Sequence, residues 1–235
     1  MNKLLNTLLA VAVACVTATA FAQAPAPAKG QPQPAAQDAA PKGGATSIEA
    51  KVAMCMGCHN IPGYQASFPE VYKVPMIAGQ NAKYIASALT AYKNGDRKHP
   101  TMRGIAASLS EQDINDVSAY YAALAPAGAA ALAEQPRQPD AQVSALLQKA
   151  ACASCHGANF SKPVDPSYPK IAGQHSDYLY VALKSYKTDG ATVGRSNGVM
   201  GAITKQFSNA ELKALSKYVG SLDGEVKTVP QNRFH

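Results

Sequence analysis

The sequence predicts an all-α protein built from two tandem copies of one small domain. Three observations lead to this prediction. A Cys-x-x-Cys-His pentapeptide occurs twice, at residues 55–59 and 152–156. A second motif, Pro-x-Ile-Ala-Gly-Gln, follows each pentapeptide, at residues 75–80 and 169–174. Apolar residues at helical spacing fill the segments between loops that contain Pro and Gly, so each copy is expected to be helical.

The first 22 residues predict a secretory signal peptide. Lys3 precedes an apolar run from Leu4 to Val16, and residues 20–22 form an A-x-A cleavage pattern. The run is too short to cross a bilayer, and no later stretch reaches the ~18 apolar residues of a membrane helix. We therefore expect export to a bacterial periplasm, with no transmembrane segment in the mature chain.

A cysteine inside this segment allows a second interpretation. Cys15 could be a lipid-attachment site, but Ala12 stands where such sites usually carry Leu, Val or Ile. The preferred interpretation is a small residue in the apolar part of the signal peptide.

Composition divides the rest of the chain into five segments. Stretches rich in Ala and Pro have no hydrophobic periodicity, which is typical of tethers and linkers. The predicted order is a flexible tether (23–46), an N-terminal domain (47–126), a linker (127–139), a C-terminal domain (140–222) and a polar tail (223–235).

In the N-terminal domain, an opening helix from Ile48 to about Cys55 is expected to deliver the first motif. Asn81 is expected to cap a second helix to about Lys93. Residues 94–109 are predicted to be a loop. Ser110 begins a capping-box pattern that opens a last helix to about Leu124.

The C-terminal domain is predicted to repeat these elements. Its opening helix runs from Val143 to Cys152, and Ser208 opens its last helix. The offset between matched residues rises from 94 to 98 after Lys187, which indicates an insertion of four residues there. The pentapeptides are 97 residues apart, so the loop after the first is three residues longer than the loop after the second.

Each pentapeptide is the pattern of a covalent haem c site. Cysteines three apart lie on one face of a helical turn, so both sulfurs reach the vinyl groups of one porphyrin. The following histidine is the proximal ligand of the iron. The sequence therefore predicts two haem c groups, with thioethers at Cys55, Cys58, Cys152 and Cys155 and proximal ligands at His59 and His156. A zinc site or a redox dithiol is the alternative, and the histidine repeated in both motifs counts against it.

Two methionines matched by the repeat are candidates for the sixth ligand of each iron. Met102 and Met200 are both expected on a loop just before the last helix of their domain. His99 and His175 are rival ligands, but their counterparts are Asn197 and Asn81. Histidine and methionine together raise the reduction potential and leave no open position on the iron, which favours electron transfer over catalysis.

Charge does not indicate a nucleic-acid partner. The net charge of +7 is accompanied by no cluster of aromatic and basic residues. The excess lies in the second half, where residues 140–222 carry a net charge of +4 and residues 48–126 carry +1. A basic second half could steer a docking partner, although solvated lysines are the ordinary explanation.

Residues 48–222 resemble the dihaem cytochrome c4 family. The resemblance rests on the doubled pentapeptide, the doubled Pro-x-Ile-Ala-Gly-Gln and an Arg-x-x-x-x-Met that begins at Arg97 and again at Arg195. It implies two class I cytochrome c domains, each wrapped around a haem and packed face to face.

The resemblance also implies roles for residues near each haem. The carbonyls of Pro75 and Pro169 would accept a hydrogen bond from the proximal histidine. Arg97 and Arg195 are candidates for pairing with haem propionates, and solvated surface arginines are the alternative. One departure from the family is Asn60, since Gly follows the histidine in the family and in the second motif, as Gly157.

We expect from this a periplasmic electron carrier rather than an enzyme. It would take electrons from a quinol-oxidising cytochrome bc complex or a dehydrogenase and pass them to a haem–copper oxidase. One alternative is the dihaem subunit of an oxidoreductase such as a flavocytochrome sulfide dehydrogenase. Another is a dihaem enzyme, for example a peroxidase or a thiosulfate dehydrogenase, which would need an open or unusually ligated iron.

Overall fold

The computed structural model describes residues 47–125, 132, 136–188, 190 and 192–230. All of these residues belong to one compact unit. The predicted signal peptide and tether lie outside the described residues, as does most of the predicted linker. None of the helices in the described ranges has both the length and the hydropathy that a bilayer crossing requires.

The described chain is mostly helical, and it forms the same series of helices twice, which confirms the predicted fold class. The N-terminal half contains α1 (Ile48–His59), β1 (Gln65–Ala66), β2 (Tyr72–Lys73), α2 (Ala82–Asn94), β3 (Arg97–Lys98), α3 (Pro100–Ala107) and α4 (Glu111–Ala123). The C-terminal half contains α5 (Ala141–Ala150), α6 (Ala153–His156), α7 (Ser176–Lys187), β4 (Gly194–Arg195), α8 (Gly198–Thr204) and α9 (Asn209–Gly220).

The predicted capping boxes at the last helix of each half are confirmed. The Ser110 hydroxyl accepts from the Asp113 amide, and the Asp113 carboxylate accepts from the Ser110 amide, both at 3.1 Å. Ser208 and Glu211 make the same reciprocal pair. Each box satisfies two backbone N–H groups that the helix itself leaves without partners.

The prediction of a continuous loop over residues 94–109 is wrong. This stretch contains α3, and its counterpart in the second half contains α8, so Met102 and Met200 lie on short helices. Proline at the first position of α3 suits a helix start because its missing N–H has no partner there. The side chain that caps α3 is a histidine, His99, which is not among the usual capping residues.

The two opening helices also differ from the prediction. α1 continues past Cys55 to His59, so the whole first pentapeptide is helical. α5 ends at Ala150 because Ala151 adopts a left-handed conformation (φ 49°), and the second pentapeptide forms the separate helix α6. Asn81 occupies the cap position of α2, but its side chain accepts no hydrogen bond from the helix, so the predicted cap is not formed. Its Nδ2 donates to the Tyr168 carbonyl of the other half.

Each half has its own apolar core. In the first half, α1, α2 and α4 bury Val52, Leu89 and Val117 around the ring of Tyr121. The Tyr121 hydroxyl donates to Asn60 Oδ1 at 2.9 Å. The second half buries two smaller clusters, which fits a domain that relies on something else to complete its interior.

A pair of buried glutamines joins the halves. Gln80 donates to the Lys170 carbonyl and accepts from the Lys170 amide, both at 2.9 Å. Gln174 makes the equivalent pair with the carbonyl and amide of Met76, at 2.8 and 3.0 Å. Each glutamine therefore ties its own half to the segment that directly follows the proline of the other half.

Two further contacts cross between the halves. β3 pairs antiparallel with β4, and Arg97 lies opposite Arg195 in the register. Beyond α9, Lys227 exchanges two backbone hydrogen bonds with Ala78, and Val226 is fully buried. Part of the predicted polar tail is thus packed on the N-terminal half, a contact that its composition does not predict.

Candidate haem-binding site

All twelve site residues predicted from the sequence line one continuous cavity of about 710 Å³. The cavity extends through both halves. It collects the cysteines and histidines of the two pentapeptides together with the prolines, arginines and methionines matched by the repeat: Cys55, Cys58, His59, Pro75, Arg97, Met102, Cys152, Cys155, His156, Pro169, Arg195 and Met200.

The four cysteines are half-buried free thiols at the cavity wall. Burial raises the pKa of Cys55 and of Cys152 to about 11. Within the described ranges, no three His, Cys, Asp or Glu side chains are grouped as ligands of one metal ion, so the alternative of a shared four-cysteine zinc site is not formed.

The two histidines are held in the same way. His59 Nδ1 lies 2.8 Å from the Pro75 carbonyl oxygen, and His156 Nδ1 lies 3.0 Å from that of Pro169. A carbonyl can only accept, so Nδ1 carries the proton and Nε2 keeps its lone pair. Burial lowers the pKa of both imidazoles, and the carbonyl hydrogen bond only partly opposes this. Each histidine is therefore a neutral ring with one nitrogen available to a metal.

Met102 and Met200 have matched backbone environments. The Met102 amide donates to His99 Nδ1 at 3.3 Å, and the Met200 amide donates to Asn197 Oδ1 at 2.9 Å. The rival ligand His99 has both ring nitrogens in hydrogen bonds, because its Nε2 lies 3.0 Å from the Tyr72 hydroxyl. His175, the other rival, is not among the residues that line the cavity.

The two arginines are half-buried among tyrosines. Arg97 donates to the Tyr84 hydroxyl at 2.9 Å and stacks on the rings of Tyr84 and Tyr92. Arg195 stacks on Tyr178 and Tyr186. No described carboxylate forms a salt bridge with either guanidinium. Two half-buried cations without a described acidic partner are suited to bind anionic groups inside the cavity.

These residues fit two haem c groups. The four cysteine thiols would form the thioether bonds to the porphyrins, and the two neutral imidazoles and the two methionine sulfurs would be the axial ligands. Two guanidiniums are available to the carboxylates of the porphyrin. A haem bound there supplies a one-electron redox centre whose iron accepts two axial ligands.

Sequence reasoning missed three sets of residues around the cavity. It predicted neither the contacts of the glutamines that cross between the halves, nor the capping by His99 and Asn197, nor the tyrosines under the arginines. The glutamines carried a usable signal because both end the same repeated motif. The capping pair carried none, since the two residues differ in type.

The two loops that leave the histidines differ where the sequence departs from the family. Gly157 has φ 80°, and a Cβ there would lie 2.0 Å from the Lys162 carbonyl oxygen. Asn60 has φ −103° and is buried under Tyr121. The first loop therefore takes a different path that has room for a side chain.

Comparison with known proteins identifies a family match for the C-terminal half and relatives that cover most of the chain. Residues 141–223 match the cytochrome c family model. Over 82 residues the chain is 39% identical to cytochrome c-554(548) of Halomonas halodenitrificans, covering 94% of that protein and 34% of this chain. It is 28% identical to cytochrome c4 of Azotobacter vinelandii over 77% of this chain and 90% of that one.

Two further relatives bear on function and fold. The chain is 28% identical to the thiosulfate dehydrogenase electron acceptor of Stutzerimonas stutzeri (strain A1501), over 77% of this chain and 83% of that one. The crystal structure of reduced recombinant cytochrome c4 from Pseudomonas stutzeri superposes with a TM-score of 0.54 at 25% identity, over 75% of this chain and 97% of that one. The chain is thus an electron-transfer protein with two covalently bound haem c groups, and it belongs to the dihaem cytochrome c4 family.

Proposed function

We propose that the chain is a periplasmic carrier that takes electrons from a quinol-oxidising cytochrome bc complex or a periplasmic dehydrogenase. It delivers them to a haem–copper terminal oxidase, one electron per haem. The observation that carries this proposal is the pairing in each half of one histidine and one methionine at the same cavity. With both axial positions of an iron filled by the chain, no position remains for a substrate, so transfer is favoured over bond chemistry.

The proposed ligands of the first iron are His59 and Met102, and those of the second are His156 and Met200. The carbonyls of Pro75 and Pro169 keep each histidine in the tautomer that offers Nε2. Soft thioether sulfur favours ferrous iron, which raises both potentials. The predicted signal peptide supports a periplasmic location, and the relatives' names support a redox protein as partner.

The visible spectrum of the dithionite-reduced holoprotein, recorded before and after carbon monoxide is added, tests this proposal. We expect no change at either haem, because each iron keeps two ligands from the chain. Met102→Ala and Met200→Ala should each open one iron to carbon monoxide. Binding at one haem of the wild-type protein would overturn the carrier function and favour a dihaem enzyme.

A specific donor is suggested by one relative's name. A protein called thiosulfate dehydrogenase electron acceptor is 28% identical to this chain, which favours a sulfur-oxidising dehydrogenase among the possible donors. Reduction of the oxidised protein by thiosulfate plus a purified thiosulfate dehydrogenase would support this donor. Reduction only by a cytochrome bc complex would reject it. Stable co-purification with a flavoprotein would instead favour the flavocytochrome subunit.

A further inference from the structure

We propose that His99 is a positioning residue for Met102, and that it makes the first half hold its methionine more firmly than the second half holds Met200. The proposal rests on the proposed function, because it takes the two methionines as the axial ligands.

The two short helices that carry the methionines begin in the same way. The cap residues have nearly identical backbone angles, φ −149° and ψ 114° at His99 and φ −148° and ψ 115° at Asn197. Each cap side chain accepts the amide N–H of the methionine three residues later. Two chemically different residues, His99 and Asn197, therefore cap the first turn of the helix that carries the equivalent methionine.

His99 is anchored from its far side as well. Its Nδ1 accepts from the Met102 amide and so carries no proton, which leaves Nε2–H to donate to the Tyr72 hydroxyl, 3.0 Å away. The Phe68 ring packs edge-on against the imidazole, with centroids 6.1 Å apart and planes at 79°. Tyr72 is itself buried and His99 is half-buried, so the hydrogen bond between them is largely shielded from water, whereas Phe68 remains 38% exposed.

The anchor comes from the longer loop of the first half. Sixteen positions separate His59 from Pro75, whereas thirteen separate His156 from Pro169. The longer loop forms β1 and β2 and places both Phe68 and Tyr72 beside His99. Asn197 is exposed, so water competes for the amide that it caps. The two domains thus hold the cap residues of their equivalent methionines, Met102 and Met200, with unequal sets of contacts.

This inequality predicts that an added ligand displaces Met200 before Met102. Fraying of the first turn of α3 or α8 would let its methionine move away from the cavity, and an anchored cap opposes that fraying. Loss of a capping side chain typically changes such an equilibrium about fivefold.

Stopped-flow binding of imidazole to the oxidised dihaem protein tests the proposal. We expect two phases, with the slow phase at the first haem. His99→Ala should accelerate the slow phase about fivefold and leave the fast phase unchanged. Asn197→Ala is the matched control and should accelerate only the fast phase. His99→Asn should restore the cap without the anchor and bring the two phases together, and Tyr72→Phe should act in the same direction.

The outcomes separate this proposal from the ligand assignment. Unchanged phases in both His99→Ala and Tyr72→Phe would overturn the positioning role. A change at the iron in His99→Ala that shows loss of an imidazole ligand would overturn it too, since His99 would then be a ligand. If Met102→Ala and Met200→Ala leave the methionine–ferric iron absorption band unchanged, the ligand assignment fails instead. Should His99→Ala not assemble, His99→Asn and Tyr72→Phe decide the question.

Discussion

Arg97 and Arg195 are positive charges placed inside a cavity that the described chain leaves without a negative partner. A cation near a redox centre stabilises the form that carries the additional electron. Both guanidiniums are fixed against tyrosine rings, so their charge cannot move away to water. We expect them to raise the reduction potentials of the haems they face.

Removing one of these charges should lower a potential. For Arg97→Gln we expect a fall of roughly 60 mV in one of the two potentials, a tenfold change in a one-electron equilibrium. A spectroelectrochemical titration measures both potentials in one experiment. Lys213→Gln removes an exposed charge and should change neither. Unchanged potentials in Arg97→Gln would place the propionates elsewhere.

Tyr121 and Tyr218 offer a matched test of a buried hydrogen bond. Tyr121→Phe leaves the buried amide of Asn60 without its donor and should lower the free energy of unfolding of the holoprotein by about 1–3 kcal/mol. Tyr218→Phe removes a bond to the partly exposed Arg137 carbonyl and should cost less. Denaturant unfolding followed at the haem absorption measures both. An equal cost would mean that the burial of Asn60 contributes nothing.

At the scale of single elements, the long helices could be predicted from the sequence, whereas the short helices could not. α2, α4, α7 and α9 carry apolar residues at helical spacing, and two of them open with a recognisable capping box. α3 and α8 each contain a glycine inside and begin at residues that do not share a type. Their helical state depends on packing in the cavity wall, which local pattern does not report.

One element contact should depend on pH. The Asp113 carboxylate at the start of α4 accepts from Ser110 and pairs with Lys51 of α1, and these two contacts hold its pKa at about 2. A depressed pKa gives stability that is present above the unfolded value near 4 and is lost as the pH falls towards 2.

We therefore expect Asp113→Asn to melt below the wild type at neutral pH and to converge with it as the pH falls from about 4 to about 2. Thermal melts across this range provide the measurement. Asp223→Asn, which alters an exposed carboxylate beyond α9, is the control and should show a smaller gap. If the difference in melting temperature between Asp113→Asn and the wild type is as large at pH 2 as at neutral pH, it does not come from the ionised Asp113 carboxylate.

At the scale of the whole molecule, the sequence predicts the duplication, but it does not predict the contacts that join the two copies. Matched offsets predict two domains, because identical motifs recur at fixed spacing. The interface depends on side chains whose partners lie about 90 residues away, such as Gln80 with Lys170. A motif shows that a glutamine is repeated but does not show which backbone it binds.

The glutamine pair should make the halves unfold together. Replacing both Gln80 and Gln174 by Ala removes all four hydrogen bonds that these side chains make to the backbone of the other half. We expect the single denaturation transition of the wild type to separate into two, one for each half. Gln112→Ala, on the exposed surface of α4, is the control. One unchanged transition in the double variant would show that other contacts couple the halves.

The two backbone hydrogen bonds between Lys227 and Ala78 also have a consequence for the order in which the protein is assembled. A polypeptide leaves the ribosome from its N-terminus, and export threads it through a membrane in the same direction. The N-terminal half is therefore delivered long before the strand-like segment that completes its edge. Cofactor attachment at the first pentapeptide can precede pairing of Lys227 with Ala78, so this later segment would pack on a domain that has already received its haem.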